Sequence, residues 1–227
     1  AGNGASLGPI QGVGPNADIV GNNIDCTDGL VELSGRRIYE NSLSIPGTVG
    51  KMSATLDIFG NFDVSVGAIE SLSTGTNFAG NYFQVATEIT TARIGGNFAS
   101  SELVLRGPQG TRLGLLDVQG NISGTITVAG SIGSVYSRTG LISATITTVE
   151  NPTSADVELI WTKNGYSGNL SVAGNVGNIT SMATMGIRGS RRKEAVTMPA
   201  MRPRRRGKRG LFITNGYFIG NSVRTLS

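Results

Sequence analysis

The residues best suited to chemistry are basic side chains that lie close together near the end of the chain. Between Arg188 and Arg209 there are ten Lys or Arg residues and one acid, Glu194, so this segment carries +9. Because the whole chain carries +4, the rest is mildly acidic at −5. Guanidinium and ammonium groups bind phosphate, sulfate and carboxylate. The predicted anion- or partner-binding residues are Arg188, Arg191, Arg192, Lys193, Arg202, Arg204, Arg205, Arg206, Lys208 and Arg209.

The spacing of these charges also limits their structure and their partner. Like charges this close together repel one another and resist burial, so a solvated loop is expected. As an electrostatic arm, the loop would bind an acidic polymer, a lipid head group or an acidic face of another subunit. No aromatic residue lies among the ten basic residues, which argues against stacking on single-stranded nucleic acid.

Carboxylates are the other candidates for chemistry. The chain has no histidine, which excludes Ser-His-Asp triads and Cys-His pairs. Asp57 and Asp63, or Asp25 and Asp28, could act as the two carboxylates of a glycoside-cleaving enzyme or bind calcium. Acidic side chains on strands are usually exposed to solvent and have no catalytic or metal-binding role. We therefore expect no catalytic residue, no metal ion and no cofactor.

The elements that must position these residues are predicted to be β-strands. Apolar and polar residues alternate in short runs such as 29–33, 53–58, 62–66 and 82–85, and turn residues separate the runs. No stretch of a dozen residues shows a helical period. The sequence therefore predicts an all-β fold.

A Gly-Asn-apolar unit recurs between these runs. Gly and Asn adopt left-handed backbone conformations most readily, so each unit is interpreted as a corner. The first four units are 20, 16 and 24 residues apart, and two Thr-Ile-Thr units, at 125 and 145, are 20 apart. These spacings predict coils of about 20 residues. The Gly-Asn units begin at residues 60, 80, 96, 120, 168, 174 and 177.

A longer repeat supports stacked coils. Residues 120–135 and 168–179 both reduce to Gly-Asn-apolar-Ser followed by Val-Ala-Gly-polar-apolar-Gly-polar-apolar, because the second copy lacks four residues after the Ser. A single coil cannot bury its inner face, but stacked coils form apolar ladders with parallel strands about 4.8 Å apart. Ile126 and Ile146 would point inward, and corner asparagines would bond along the axis. The predicted fold is a right-handed parallel β-helix (β-solenoid), with an antiparallel β-sandwich or jelly roll as the alternative.

The strings Gly-Asn-Ile-Ser-Gly-Thr-Ile and Val-Ala-Gly-Ser-Ile-Gly-Ser-Val carry a family resemblance. They resemble the strand repeats of very large secreted bacterial surface proteins of the planctomycete type and the passenger regions of autotransporter adhesins. The resemblance covers about residues 50–182. It implies a parallel β-helix and an extracellular or cell-surface location, and it carries over no catalytic residue.

The predicted organisation is an extended lead-in (1–23), a β-solenoid (24–187), a basic insertion loop (188–210) and a terminal β coil (211–227). We expect a structural extracellular module that acts in assembly or adhesion, by self-association or with other surface or matrix components. A carbohydrate-active β-helix enzyme of the lyase or hydrolase type and an anion-binding module are the alternatives. No apolar stretch reaches the ~18 residues that span a membrane.

Overall fold

The structure is a computed structural model that describes residues 6–14, 16–107, 110–149 and 155–183, and the backbone of two further strands. All regular secondary structure in these residues is β. The strands are Ile10–Gln11 (β1), Ile19–Val20 (β2), Asn23–Asp25 (β3), Leu30–Gly35 (β4), Ile38–Tyr39 (β5), Ser42–Ala54 (β6), Ile58–Phe59 (β7), Asp63–Thr74 (β8), Phe78–Ala79 (β9), Tyr82–Val85 (β10), Glu88–Ile94 (β11), Phe98–Leu105 (β12), Thr111–Val118 (β13), Ile122–Val128 (β14), Gly130–Ser137 (β15), Thr145–Thr148 (β16), Val157–Thr162 (β17), Asn169–Val172 (β18), Val176–Ser181 (β19), Leu211–Thr214 (β20) and Tyr217–Ile219 (β21).

These strands form a parallel β-solenoid. From β1 to β19, every pair of strands between successive coils is parallel. Each coil has a short face (β5, β7 and β9), a middle face (β10, β16 and β18) and a long face (β11, β13, β15, β17 and β19). The predicted solenoid is confirmed, and the antiparallel sandwich is wrong.

Apolar side chains fill the interior in rows along the axis. Ile126 and Ile146 are fully buried and stack in register, as predicted. Four buried phenylalanines contact one another in the core, and the Phe78 ring stacks on Phe98 with centroids 5.3 Å apart. The inward row of the middle face is Leu43, Val64, Phe83, Leu103, Ile126, Ile146 and Leu170.

The coil length is about 20 residues, as predicted, with two longer coils. Successive coils contain 20, 20, 20, 24, 20 and 24 residues, counted between the residues that stack on the short face. These residues are Ile38, Ile58, Phe78, Phe98, Ile122, Ile142 and Tyr166. The additional residues of the longer coils are inserted at the third corner of the coil, which lies between the middle face and the long face. Eight positions separate the inward residues Leu105 and Leu113, where four separate Val85 and Ile89 in the preceding coil.

The interpretation of Gly-Asn as one recurring corner is wrong. Gly96-Asn97 and Gly120-Asn121 precede the short face, whereas Gly60-Asn61 and Gly80-Asn81 follow it, so the 16-residue gap is a step between corners. The physical reason is that any tight backbone position favours these residues. Gly177 lies within β19, where an added Cβ would be 2.3 Å from a backbone oxygen of the preceding coil.

The alignment of the longer repeat is correct for its Val-Ala-Gly half and wrong for its Gly-Asn half. The two Val-Ala-Gly segments lie in register two coils apart, because Val128 stacks on Thr148 and Thr148 on Val172. Asn169, however, stacks on Thr145 of the middle face, and not at the corner that holds Asn121. The shared Gly-Asn therefore aligned two unrelated positions. The stacking of the Thr-Ile-Thr units is confirmed.

The two ends of the described chain also pair with the solenoid. β1 and β2, within the segment predicted as a lead-in, pair in parallel with β4 and β5. β20 pairs antiparallel with β18 and with β21. The predicted division into four segments stays a prediction. In the part of the chain that the structure describes, there is no helix of the length and apolarity that crossing a membrane requires.

Candidate functional site

The ten basic residues predicted to bind an anion lie outside the described residues. Arg188, Arg191, Arg192 and Lys193 form the first group, and Arg202, Arg204, Arg205, Arg206, Lys208 and Arg209 form the second. Their role stays a prediction.

The predicted carboxylate pair is divided between two surface depressions. Asp57 lines a depression on the short face, whereas Asp63 lines another beside the middle face. Asp28 accepts a hydrogen bond from Ser6 at 3.3 Å, and Asp25 is exposed on β3. Among the described residues, no three Asp, Glu, Cys or His side chains cluster as a metal site would require. That neither pair is catalytic stays a prediction.

Asp57 is held by the neighbouring coils. Its carboxylate accepts hydrogen bonds from the Thr76 hydroxyl and from the backbone N and Nδ2 of Asn77, at 2.9 and 3.2 Å for the two Asn77 bonds. The Nε of Arg37 lies 3.9 Å from Oδ2. Burial opposes ionisation, but these bonds and the Arg37 charge outweigh it, so the pKa of Asp57 lies below its ordinary value. The geometry therefore suits an ionised structural carboxylate better than a general acid.

Asp57 begins a ladder of polar side chains at the corner before the short face, which we call the ladder corner. Oδ1 of Asn77 accepts bonds from the backbone N and Nδ2 of Asn97, at 3.0 and 3.2 Å. Oδ1 of Asn97 accepts from the backbone N of Asn121 at 2.8 Å, and Oδ1 of Asn121 accepts from that of Leu141 at 2.8 Å. Each amide thus satisfies a corner backbone group of the next coil, which confirms the predicted bonding of asparagines along the axis.

The depression beside this ladder has a volume of about 640 Å³. Ala79 and Ala99 lie on the short face within it, and Phe59 lies near one end. The Phe59 ring stacks on Tyr39 with centroids 4.8 Å apart and an interplanar angle of 19°. Because the ladder already occupies the amide oxygens of Asn77 and Asn97, this wall of the depression is structural.

A second surface lies on the outer side of the long face, and sequence reasoning missed it. One outward row continues from Gln11 through three serines, Ser34, Ser53 and Ser73, and then changes character. The next residues in register are Arg93, Asp117, Tyr136 and Trp161. Together with Arg138 and Lys163, which lie two residues after Tyr136 and Trp161, these four residues form what we call the long-face patch.

The centre of the long-face patch is organised by Arg138. Its Nε and a terminal nitrogen lie 2.7 and 3.0 Å from the two carboxylate oxygens of Asp117. The hydrogen bond with Asp117 raises the pKa of Arg138 above its ordinary value. The Arg138 guanidinium carbon also lies 4.2 Å from the centroid of the Tyr136 ring. The Tyr136 and Trp161 centroids are 6.4 Å apart, with the rings tilted by 43°.

Irregular spacing hid the long-face patch from sequence analysis. The residues that stack in its outward row are 24, 19 and 25 positions apart, because the coils differ in length at the third corner. The available signal was the chain's only tryptophan, which has a strand-like alternation of side chains around it. Comparisons with family models, with curated proteins and with solved structures gave no match. The family resemblance therefore continues to depend on the repeat strings alone.

Proposed function

We propose that this chain is a structural extracellular or cell-surface β-solenoid module that acts in assembly or adhesion. The observation that carries the proposal is the continuous stack of described coils, whose last long-face strand has an unpaired edge within the part of the chain that the structure describes. Among the described residues, β19 pairs with β17 along one edge and with no strand along the other. An unpaired edge of a sheet is a template for a strand of another chain.

Two further observations support a scaffold. Each coil contacts mainly its neighbours, and the ladder corner fixes the orientation of successive coils, so the module holds its outer faces in a regular array. The resemblance to large secreted bacterial surface proteins supports the location. An enzyme that uses Asp57 and Asp63 and an anion-binding module that uses residues 188–209 stay the alternatives.

Sedimentation of the purified chain over a wide range of concentrations tests assembly. We expect self-association that increases with concentration. Thr180→Lys places a charge on the exposed side of β19, and Lys on an edge strand hinders pairing, so this variant should associate less. Thr145→Lys is the matched control, because β16 is paired on both edges and should tolerate the change. A wild-type chain that stays monomeric at high concentration contradicts assembly through the strand edge.

A further inference from the structure

We propose that the long-face patch binds an acidic polysaccharide, with a sugar ring stacked against Trp161 and the carboxylates of the polymer paired with Arg93 and Lys163. None of its six residues belongs to β19, the strand that carries the proposed function, although Trp161 is paired in register with Thr180 of that strand. It is also separate from the predicted basic loop, because all six of its residues belong to the described solenoid.

Tyr136 and Trp161 form an aromatic pair that sets the long-face patch apart. Outward positions earlier in the same row hold serines, whereas Tyr136 and Trp161 are large, half-buried rings on successive coils. The two rings are tilted by 43° and so are not stacked face to face, and the Arg138 guanidinium lies over the Tyr136 ring, which leaves Trp161 as the ring for a ligand. A large ring with an open apolar face and a polar edge is suited to a ligand that has both apolar and polar surfaces, as a sugar ring does.

The long-face patch also has a net positive charge. The long-face patch holds three cations, Arg93, Arg138 and Lys163, against one carboxylate, Asp117. Arg138 is paired with Asp117, but Arg93 and Lys163 are exposed and form no ion pair within the described residues. Arg93 lies two coils before Tyr136, next to Asp117 in the row, and Lys163 lies two residues after Trp161, so the long-face patch has cations at both ends of the row and favours a ligand with repeated negative charges. The nearby Glu158 is separated from Trp161 along β17 by Leu159 and Ile160.

The position of Asp117 favours a polysaccharide over a nucleic acid. A carboxylate at the centre of the long-face patch repels phosphate and uronate alike, but it accepts hydrogen bonds from hydroxyl groups, which a polysaccharide carries on every unit. Arg138 fixes this carboxylate with two hydrogen bonds, so its orientation is set before a ligand binds. The row from Arg93 to Trp161 crosses three strand spacings, about 14 Å, which is enough for a few sugar units of an extended chain.

The single tryptophan gives a direct test. Trp161 is the only tryptophan in the chain, so its fluorescence reports on the long-face patch and on the adjoining strand β19, and the titration is done at a protein concentration at which sedimentation shows no self-association. Titration with polygalacturonate, a polymer of uronic acid, should shift or quench this emission in a saturable and salt-sensitive way. An unchanged emission spectrum at saturating polymer overturns the proposal, and so does an equal response to a single-stranded oligonucleotide.

Variants locate the binding. In a pull-down on immobilised polygalacturonate, Trp161→Ala should weaken binding at least tenfold. The double variant Arg93→Gln with Lys163→Gln should do the same, and it changes only exposed side chains, so it is expected to fold. Tyr82→Ala removes an aromatic that is 40% exposed on the middle face and should bind as the wild type does. Binding that survives the double variant and disappears only when Arg202, Arg204, Arg205 and Arg206 are replaced overturns the proposal.

Discussion

Two identical tripeptides have different roles in this solenoid. Gly60-Asn61-Phe62 and Gly96-Asn97-Phe98 both end in a buried ring, with Phe62 0% and Phe98 2% exposed. Asn97 lies at the ladder corner, where its side chain bonds to the coils on both sides. Asn61 lies after the short face, is exposed, and has a left-handed backbone with a φ of 59°. No side-chain hydrogen bond of Asn61 occurs among the described residues.

The difference comes from the neighbouring coils and not from the tripeptide. Asn97 has asparagines above and below it, so its amide can continue a ladder. Asn61 accommodates an additional residue, because five positions lead from Ile58 to Asp63 where four lead from Phe78 to Tyr82. Two successive left-handed residues, Gly60 and Asn61, absorb that insertion. The same residue types therefore serve hydrogen bonding at one corner and backbone geometry at the other.

The largest expected effect is one that both tripeptides share. Phe62→Ala and Phe98→Ala each remove a buried ring that contacts another phenylalanine, with centroids 5.5 Å from Phe83 and 5.3 Å from Phe78, respectively. Each should lower the free energy of unfolding by about 3–5 kcal/mol, measured by urea denaturation. A cost below about 1 kcal/mol for only one of them would show that the two rings are not equivalent.

A smaller effect should separate the two asparagines. Asn97→Gly removes two hydrogen bonds between coils and adds backbone freedom, so it should cost about 1–3 kcal/mol of unfolding free energy. Asn61→Gly is the matched change, and glycine adopts the left-handed backbone at that position without strain. We expect a change within about 0.5 kcal/mol for Asn61→Gly. Equal costs in parallel denaturation curves would contradict the assignment of the ladder to one corner.

The smallest effect concerns the charged end of the ladder and depends on pH. The pKa of Asp57 is lower in the folded protein than its ordinary value of about 3.9. The ionised carboxylate therefore stabilises the fold at a pH above the ordinary value. This stabilisation is lost as the pH falls through the pKa of the folded protein. Asp57→Asn should therefore be less stable than the wild type at neutral pH, and the difference should shrink in acid. Thermal melts of both proteins across this range measure it. A difference that grows on acidification would contradict the sign.

Coil architecture was predictable from sequence because stacking requires it. Thr-Ile-Thr at 125 and 145 differ by one coil and occupy the same positions, so both the period and the inward side chain could be predicted. The corners were not predictable from Gly-Asn, since Asn61 and Asn97 share their local sequence and differ only in what lies one coil away. The long-face patch depends on register across coils of unequal length, and a periodic search cannot find Asp117, Tyr136 and Trp161.

The uneven coil lengths have a practical consequence. Both longer coils lengthen at the third corner, and the inward rows on either side of it stay in register despite the additional residues. The segment between Leu105 and Thr111 is therefore a suitable site for grafting a peptide tag or an epitope. A tag of several residues at this site would project from the scaffold, while the ladder corner, where backbone and side chains are bonded coil to coil, would be a poor choice.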